Sequence, residues 1–342
     1  MKIAEGKPKG LERLANARGV IAALAIDQRS ALRSLFAKAK GVQADAVPGE
    51  WLVQFKEAVS DILTPQASAI LLDPEYGLPA AKRRAKNAGL LLAYEKTGYD
   101  KRVPGRLPQL LEHWSVRRLI EAGADGAKIL LYYAPSSSAE VNDQKHAWIE
   151  RIGAECVAAD VPFFLELVSY QEGMDEKGRD FAKCKPGVVK ASVEEFSKPR
   201  YAVDVLKVGV PVNMAYVEGS PSAASEILYS REQAKKYFRE AAAAARVPFI
   251  YLSEGVSNET FEDALELAGE AGATFSGVLC GRATWKDGVA VFAQHGMSAL
   301  EEWLGSEGIR NIQRVNAKLS AARPWTESYA RGPAAAPSGE QS

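Results

Sequence analysis

Apolar residues fall into two alternating patterns along the chain. Short, nearly continuous apolar runs occupy 20–26, 69–72, 90–94, 126–133, 161–168, 203–210, 247–252 and 277–280. Between them lie stretches with apolar residues at three- and four-residue spacing, among them 51–63, 115–122, 146–159, 231–245 and 258–271. Short continuous runs rich in β-branched residues predict strands buried on both faces, as in a parallel sheet. The spaced stretches predict helices with one apolar stripe. Eight strands alternating with helices over about 260 residues predict an α/β protein, a (β/α)8 TIM barrel. An open doubly wound sheet needs fewer strands and a glycine-rich turn after the first, and Ile26-Asp27-Gln28-Arg29-Ser30 is not such a turn. Residues 297–319 add one or two helices. A single domain is expected over 1–330, and the Gly-, Pro-, Ala- and Ser-rich segment 331–342 reads as a disordered tail.

Polar residues interrupt this pattern at informative places. Lys207 lies inside the run 203–210, where an ammonium is costly unless it is paired, reaches water, or gives up its proton. In a barrel, polar residues at the C-terminal ends of strands share one mouth. Asp27 follows the first run, Lys128 is on the fourth, Glu166 on the fifth and Lys207 on the sixth. Ser253 follows the seventh, and Gly281 and Arg282 the eighth.

Each has a plainer reading: Asp27 as a helix cap, Lys128 and Glu166 as an ion pair, Arg282 as a loop arginine. Taken together they suit imine chemistry on a phosphorylated ketose. A neutral amine attacks carbonyls, and a second cation such as Lys128 favours the neutral form of its neighbour. The apolar setting of Glu166 is expected to raise its pKa toward the range of a proton shuttle. Gly281 and Arg282 would bind phosphate through backbone N–H groups and a guanidinium.

Composition narrows the partners. Lys plus Arg and Asp plus Glu both number 43, so no basic surface for nucleic acid or an anionic membrane is expected. The longest apolar runs fall far short of the roughly 18 residues of a membrane span. Three widely spaced cysteines, Cys156, Cys184 and Cys280, point to a reducing compartment and no disulfide framework. Residues 1–10 are polar, without the apolar stretch of a secretory leader. A cytoplasmic protein is expected. Its three histidines, His113, His146 and His295, are scattered, which argues against a histidine-built metal site. Neither metal nor cofactor is expected. Trp303 and Trp325 look exposed and could serve a subunit interface or cover the barrel; a homodimer is the preferred assembly.

Several motifs resemble the class I tagatose 1,6-bisphosphate aldolases. They include Ala25-Ile26-Asp27-Gln28-Arg29, Leu72-Asp73-Pro74-Glu75-Tyr76-Gly77, Tyr94-Glu95-Lys96-Thr97 and Phe164-Leu165-Glu166. Asp204-Val205-Leu206-Lys207, Asn213-Met214-Ala215-Tyr216 and Leu279-Cys280-Gly281-Arg282-Ala283 continue the series in the same order. The similarity runs from about residue 11 to Trp325.

The resemblance implies metal-free retro-aldol cleavage of tagatose 1,6-bisphosphate, and of fructose 1,6-bisphosphate, to dihydroxyacetone phosphate and glyceraldehyde 3-phosphate. It gives Lys207 as the Schiff-base lysine and Glu166 as the acid/base carboxylate. Asp27 and Lys128 become the other polar mouth residues. Ser253, Gly281 and Arg282 fall near the phosphate, and Gln28 falls near substrate hydroxyls. Two positions depart from the family pattern: Ser30, where glycine is common, and Glu254, where a small residue is expected. A carboxylate beside a phosphate site would repel the ligand unless it points away. Alternatives are a sulfoketose phosphate aldolase of the same family, a transaldolase-like barrel, and a slow phosphosugar-sensing barrel.

Overall fold

A computed structural model describes residues 6–97, 99 and 103–330; the expected tail at 331–342 lies outside them. The strands are β1 (Ile21–Ala25), β2 (Ala69–Leu72), β3 (Gly89–Ala93), β4 (Gly126–Tyr133), β5 (Phe163–Ser169), β6 (Val205–Val208), β7 (Phe249–Leu252) and β8 (Gly277–Cys280). All pair in parallel in chain order, and β8 closes onto β1. The protein is therefore a (β/α)8 barrel, as the alternation predicts.

The predicted runs match the strands with small differences at the ends. The run 203–210 keeps only its middle as β6, because the flanking Val203 and Val210 are apolar through burial rather than pairing. Of the helices, Gly49–Leu63, Val116–Glu121, Arg231–Ala244 and Asn258–Glu270 lie where the spacing places them. Helix Ala139–Ala158 starts earlier than predicted, capped by Ser138 at Val141 N–H, 3.3 Å. Met297–Trp303 and Ile309–Lys318, joined by a π turn, fill the extra C-terminal segment.

Helix Arg179–Phe196 escapes the pattern because Pro186 sits inside it. Proline removes the N–H that would bond the carbonyl four residues back. The Tyr229 hydroxyl donates to that carbonyl, Ala182 O, at 2.9 Å.

Side chains alternate across each strand. The outward set packs on the helices in one large core. The inward set, including Ile21, Ala23, Leu71, Leu91, Phe164, Val205, Ile250 and Leu279, fills the barrel. Helix Gly6–Leu14 seals the end opposite the mouth by adding Leu11 and Leu14 to that inner cluster. Its Lys7 pairs with buried Asp204 at 2.6 Å. Trp325 is buried in the same inner cluster, and Trp303 is half-buried against Gly288. Both therefore pack on the barrel. Among the described residues no helix is long and apolar enough to cross a membrane.

Candidate active site

Strand periodicity sets the site. On β5 the inward residue after Phe164 is Glu166; on β6 the one after Val205 is Lys207. The register pairs Glu166 with Lys207 across the sheet, so both side chains share one face. Lys128 pairs with Ala93 of β3, and Asp27 and Glu95 continue the inward rows of β1 and β3 just beyond the strand ends. A one-residue slip in any of these strands would turn its polar group out toward the helices.

The groups meet around Lys128, which is fully buried. Its Nζ donates to Asp27 Oδ2 at 2.8 Å and Glu95 Oε1 at 2.7 Å. It also lies 2.8 Å from Glu166 Oε2. Lys207 Nζ lies 2.9 Å from that same oxygen. One carboxylate oxygen thus lies within ion-pair distance of two lysine nitrogens.

Burial acts first on every group here, and the charges then decide the outcome. For Lys128, burial favours the neutral amine, but Asp27, Glu166 and Glu95 outweigh it and hold the ammonium well above its usual range. Burial also works to raise Asp27, yet Lys128 and Lys207 keep it well below the usual carboxylate range. Glu166 is likewise lowered, with burial overcome by Lys128 and then Lys207. This corrects the expectation from its apolar flanks: tertiary contacts, not sequence neighbours, set its charge. Glu95 goes the other way, raised by burial with Asp27 adding to it and Lys128 opposing.

The structure brings together all four predicted central residues, Asp27, Lys128, Glu166 and Lys207. Asp27 is no helix cap, since helix Ser30–Lys40 starts without a side-chain cap bond. Ser253, Gly281 and the backbone beside Arg282 lie at the ends of β7 and β8 on the same rim. The Arg282 guanidinium packs on Gly255, where an added Cβ would lie 2.7 Å from it. Gln28 lies beside Gly281, its Nε2 3.5 Å from where a Cβ would stand. Burial pushes the Cys280 thiol up to about 12, with Ser253 and Lys207 close enough to oppose it.

Both departing side chains have partners of their own. Ser30 is exposed, its hydroxyl 3.2 Å from that of Thr97. Glu254 is turned over the end of β6 and pairs with Lys185 at 2.6 Å.

Glu95 is the site residue that the sequence reading passed over. It follows β3 with one residue between, as Asp27 follows β1, and that position was the available signal. Position alone misleads, however: Asp73, after β2, is fully buried but pairs with Lys56 at 2.6 Å, outside the shared cluster. Tyr99 adds a wall, its hydroxyl donating to Leu130 O at 2.5 Å and its ring 4.9 Å from that of Tyr132.

Besides Glu166 Oε2, which has only its two ion-pair contacts, three buried acceptors in the mouth make no hydrogen bond among the described residues: Asp27 Oδ1, Gln28 Oε1 and Glu95 Oε2. Buried polar atoms seldom stay unpaired, so these three suit the hydroxyl donors of a sugar. Among the described residues no group of three His, Cys, Asp or Glu side chains is set to hold a metal ion.

Comparison with known proteins gives this barrel, with its lysine–carboxylate–lysine mouth, a class. Residues 21–287 match the model of the DeoC/LacD family of aldolases. The chain belongs to that family and is a carbon–carbon lyase. Its relatives include tagatose 1,6-diphosphate aldolase 2 of Enterococcus faecalis, 53% identical over 95% of this chain and 97% of the relative. The tagatose 1,6-diphosphate aldolase of Listeria monocytogenes is 50% identical over 96% of both chains. That of Staphylococcus aureus is 50% identical over 94% of this chain and 98% of its own. A solved Schiff-base-forming fructose-1,6-bisphosphate aldolase shares the fold with TM-score 0.51 at 16% identity, covering 86% of this chain and 96% of its own.

Proposed function

We propose that this protein is a class I, Schiff-base aldolase that cleaves tagatose 1,6-bisphosphate, and fructose 1,6-bisphosphate as well, to dihydroxyacetone phosphate and glyceraldehyde 3-phosphate. The observation that carries this reading is Glu166 Oε2 between Lys207 at 2.9 Å and Lys128 at 2.8 Å. The names of the relatives support the substrate.

In this reading Glu166, ionised because of its two cationic neighbours, takes a proton from Lys207. The freed amine attacks the C2 carbonyl, and the oxygen becomes the hydroxyl of a carbinolamine. Glu166 returns a proton to that hydroxyl, water leaves, and a cationic iminium remains. Glu166 or Asp27 then takes the proton of the C4 hydroxyl. The C3–C4 electron pair flows into the iminium, glyceraldehyde 3-phosphate departs as the aldehyde, and an enamine is left on Lys207. Protonation at C3 and hydrolysis release dihydroxyacetone phosphate and restore the amine. Positioned proton transfer of this kind contributes about 10²–10⁴ in rate.

Lys128 stays charged and orients Asp27, Glu95 and Glu166 without forming the imine. Gln28 and the orphaned acceptors take sugar hydroxyls; Ser253, Gly281 and Arg282 take the phosphate of the dihydroxyacetone half. The three free cysteines accord with action in the cytoplasm.

The test is borohydride reduction with tagatose 1,6-bisphosphate, then peptide mass mapping. The expected result is one adduct, on Lys207. Turnover without any adduct there would sink the covalent mechanism. A coupled triose phosphate assay over a panel of phosphorylated ketoses, including a sulfonated one, checks the substrate.

A further inference from the structure

We infer that Lys185 and Glu254 are positioning residues: their ion pair locks the turn after β7, and through it Ser253 and Arg282, against the end of β6. The inference rests on the reading of Ser253 and Arg282 as phosphate ligands and deepens it.

The turn is unusual in its residues. Val256 N–H bonds Ser253 O at 3.0 Å, which closes a four-residue turn. Its two central residues, Glu254 and Gly255, have φ of +48° and +79°. Glycine takes such a conformation freely, but a glutamate pays roughly 1–2 kcal/mol for it. Asn-Gly or Asp-Gly is the usual choice for two successive left-handed residues. Something must therefore hold Glu254 in place.

Lys185 meets that need. It is buried on helix Arg179–Phe196, and its Nζ donates to Glu254 Oε2 at 2.6 Å. The same ammonium lies 3.5 Å from Val212 O in the segment after β6. The Glu254 carboxylate itself rests on Gly209, where a Cβ would lie 2.4 Å from Oε1. Gly209 is the second residue after Lys207. The pair thus ties three consecutive βα units together over the strand that carries the amine.

On its other side the turn presents Gly255 to Arg282. The guanidinium carbon is 2.7 Å from where a Cβ on Gly255 would stand, so the turn's path fixes where that cation sits. Ser253 opens the same turn. Releasing Glu254 lets the turn relax, and it moves the hydroxyl and the guanidinium together. The carboxylate that the sequence marked as a threat to phosphate binding instead organises the phosphate ligands.

The experiment measures KM for tagatose 1,6-bisphosphate, kcat, and the inhibition constant of inorganic phosphate in the full chain. The variants are Lys185→Met, Glu254→Gln, their double, and the swap Lys185→Glu/Glu254→Lys, with Arg282→Met as reference. Each single variant is expected to raise KM and the phosphate constant by about 10-fold, the loss of one coupled contact, with kcat within about twofold. The double should equal the worse single, and the swap should recover part of the affinity.

Unchanged constants in Lys185→Met, alongside lost phosphate affinity in Arg282→Met, would overturn the inference alone. So would a double variant with wild-type constants, because net charge rather than geometry would then be at work. A parallel fall in kcat and in borohydride labelling of Lys207 would mark a folding defect and also overturn it. If Arg282→Met binds phosphate normally, the phosphate reading fails first and the inference falls with it.

Discussion

Lys128→Met removes the cation at the centre of the mouth, and its cost can be worked from the contacts. Three carboxylate oxygens lie within 2.8 Å of that ammonium, which has no exposed surface. Methionine fills the volume but leaves Asp27, Glu95 and Glu166 with Lys207 as the remaining cation of the cluster. Stranding one partner of a buried pair costs about 3–5 kcal/mol. At roughly 2 °C per kcal/mol for a chain of this size, the midpoint should fall by roughly 6–10 °C at pH 8.

The pH dependence supplies the sharper signature. In the native protein Asp27 and Glu166 are held below their usual range, against burial, by Lys128 and Lys207. A lowered folded pKa gives stability that is present above the unfolded value of about 4 and lost as pH falls through the folded one. Without Lys128 the largest opposing charge is gone; burial is then expected to outweigh Lys207 and raise these carboxyls above their unfolded values. Their contribution is then fully present below about pH 4 and lost as pH rises through the raised values. Glu95 already behaves in this second way and will do so more strongly. The variant should therefore recover more stability from pH 8 to pH 5 than the native protein, which gains nothing from that change at Asp27 and Glu166. Thermal unfolding at pH 5, 6.5 and 8 measures both effects. A drop below about 2 °C at pH 8, or a pH slope parallel to the native one, would refute the charge-centred account of the cluster.

Glu166→Gln should lower kcat by about 10²–10⁴ and slow borohydride trapping of Lys207, because the group that moves protons is gone; steady-state rates and labelling time courses check this. Gly277→Ala places a Cβ 2.0 Å from Ile21 O at a φ of +137°, on the seam where β8 meets β1. Circular dichroism melts should show a loss on the order of 3 kcal/mol or more, or no folded protein; a native-like melt would refute the steric reading of that seam. Lys7→Met breaks the ion pair with Asp204 at the sealed end of the barrel. The thermal midpoint should fall while kcat stays within about twofold, since the mouth is at the opposite end; an equal loss of both would show that the two ends are coupled.

Much of this was legible in the residues. Eight short apolar runs spaced by helical stripes specify a closed parallel barrel, because strands buried on both faces need helices outside and one another inside. Period two along each run then says that Lys207 shares a face with Val205, and Glu166 with Phe164. The chemistry-bearing types could be named for the same reason: an ammonium and a carboxylate in apolar strands are too costly to be there without partners or purpose.

The partners themselves were decided only by the tertiary structure. Glu166 reads as a raised carboxyl from its flanks and is lowered in the fold, because Lys128 and Lys207 arrive from neighbouring strands. Glu95 and Asp73 each closely follow a strand, yet one joins the cluster and the other pairs with Lys56. Glu254 looks like a repulsive charge until Lys185, carried on a helix that the pattern could not show across Pro186, neutralises it. Sequence periodicity determines which face a side chain occupies. Which charge it meets there depends on register, strand tilt and turn path, and these come from the closure of the whole barrel.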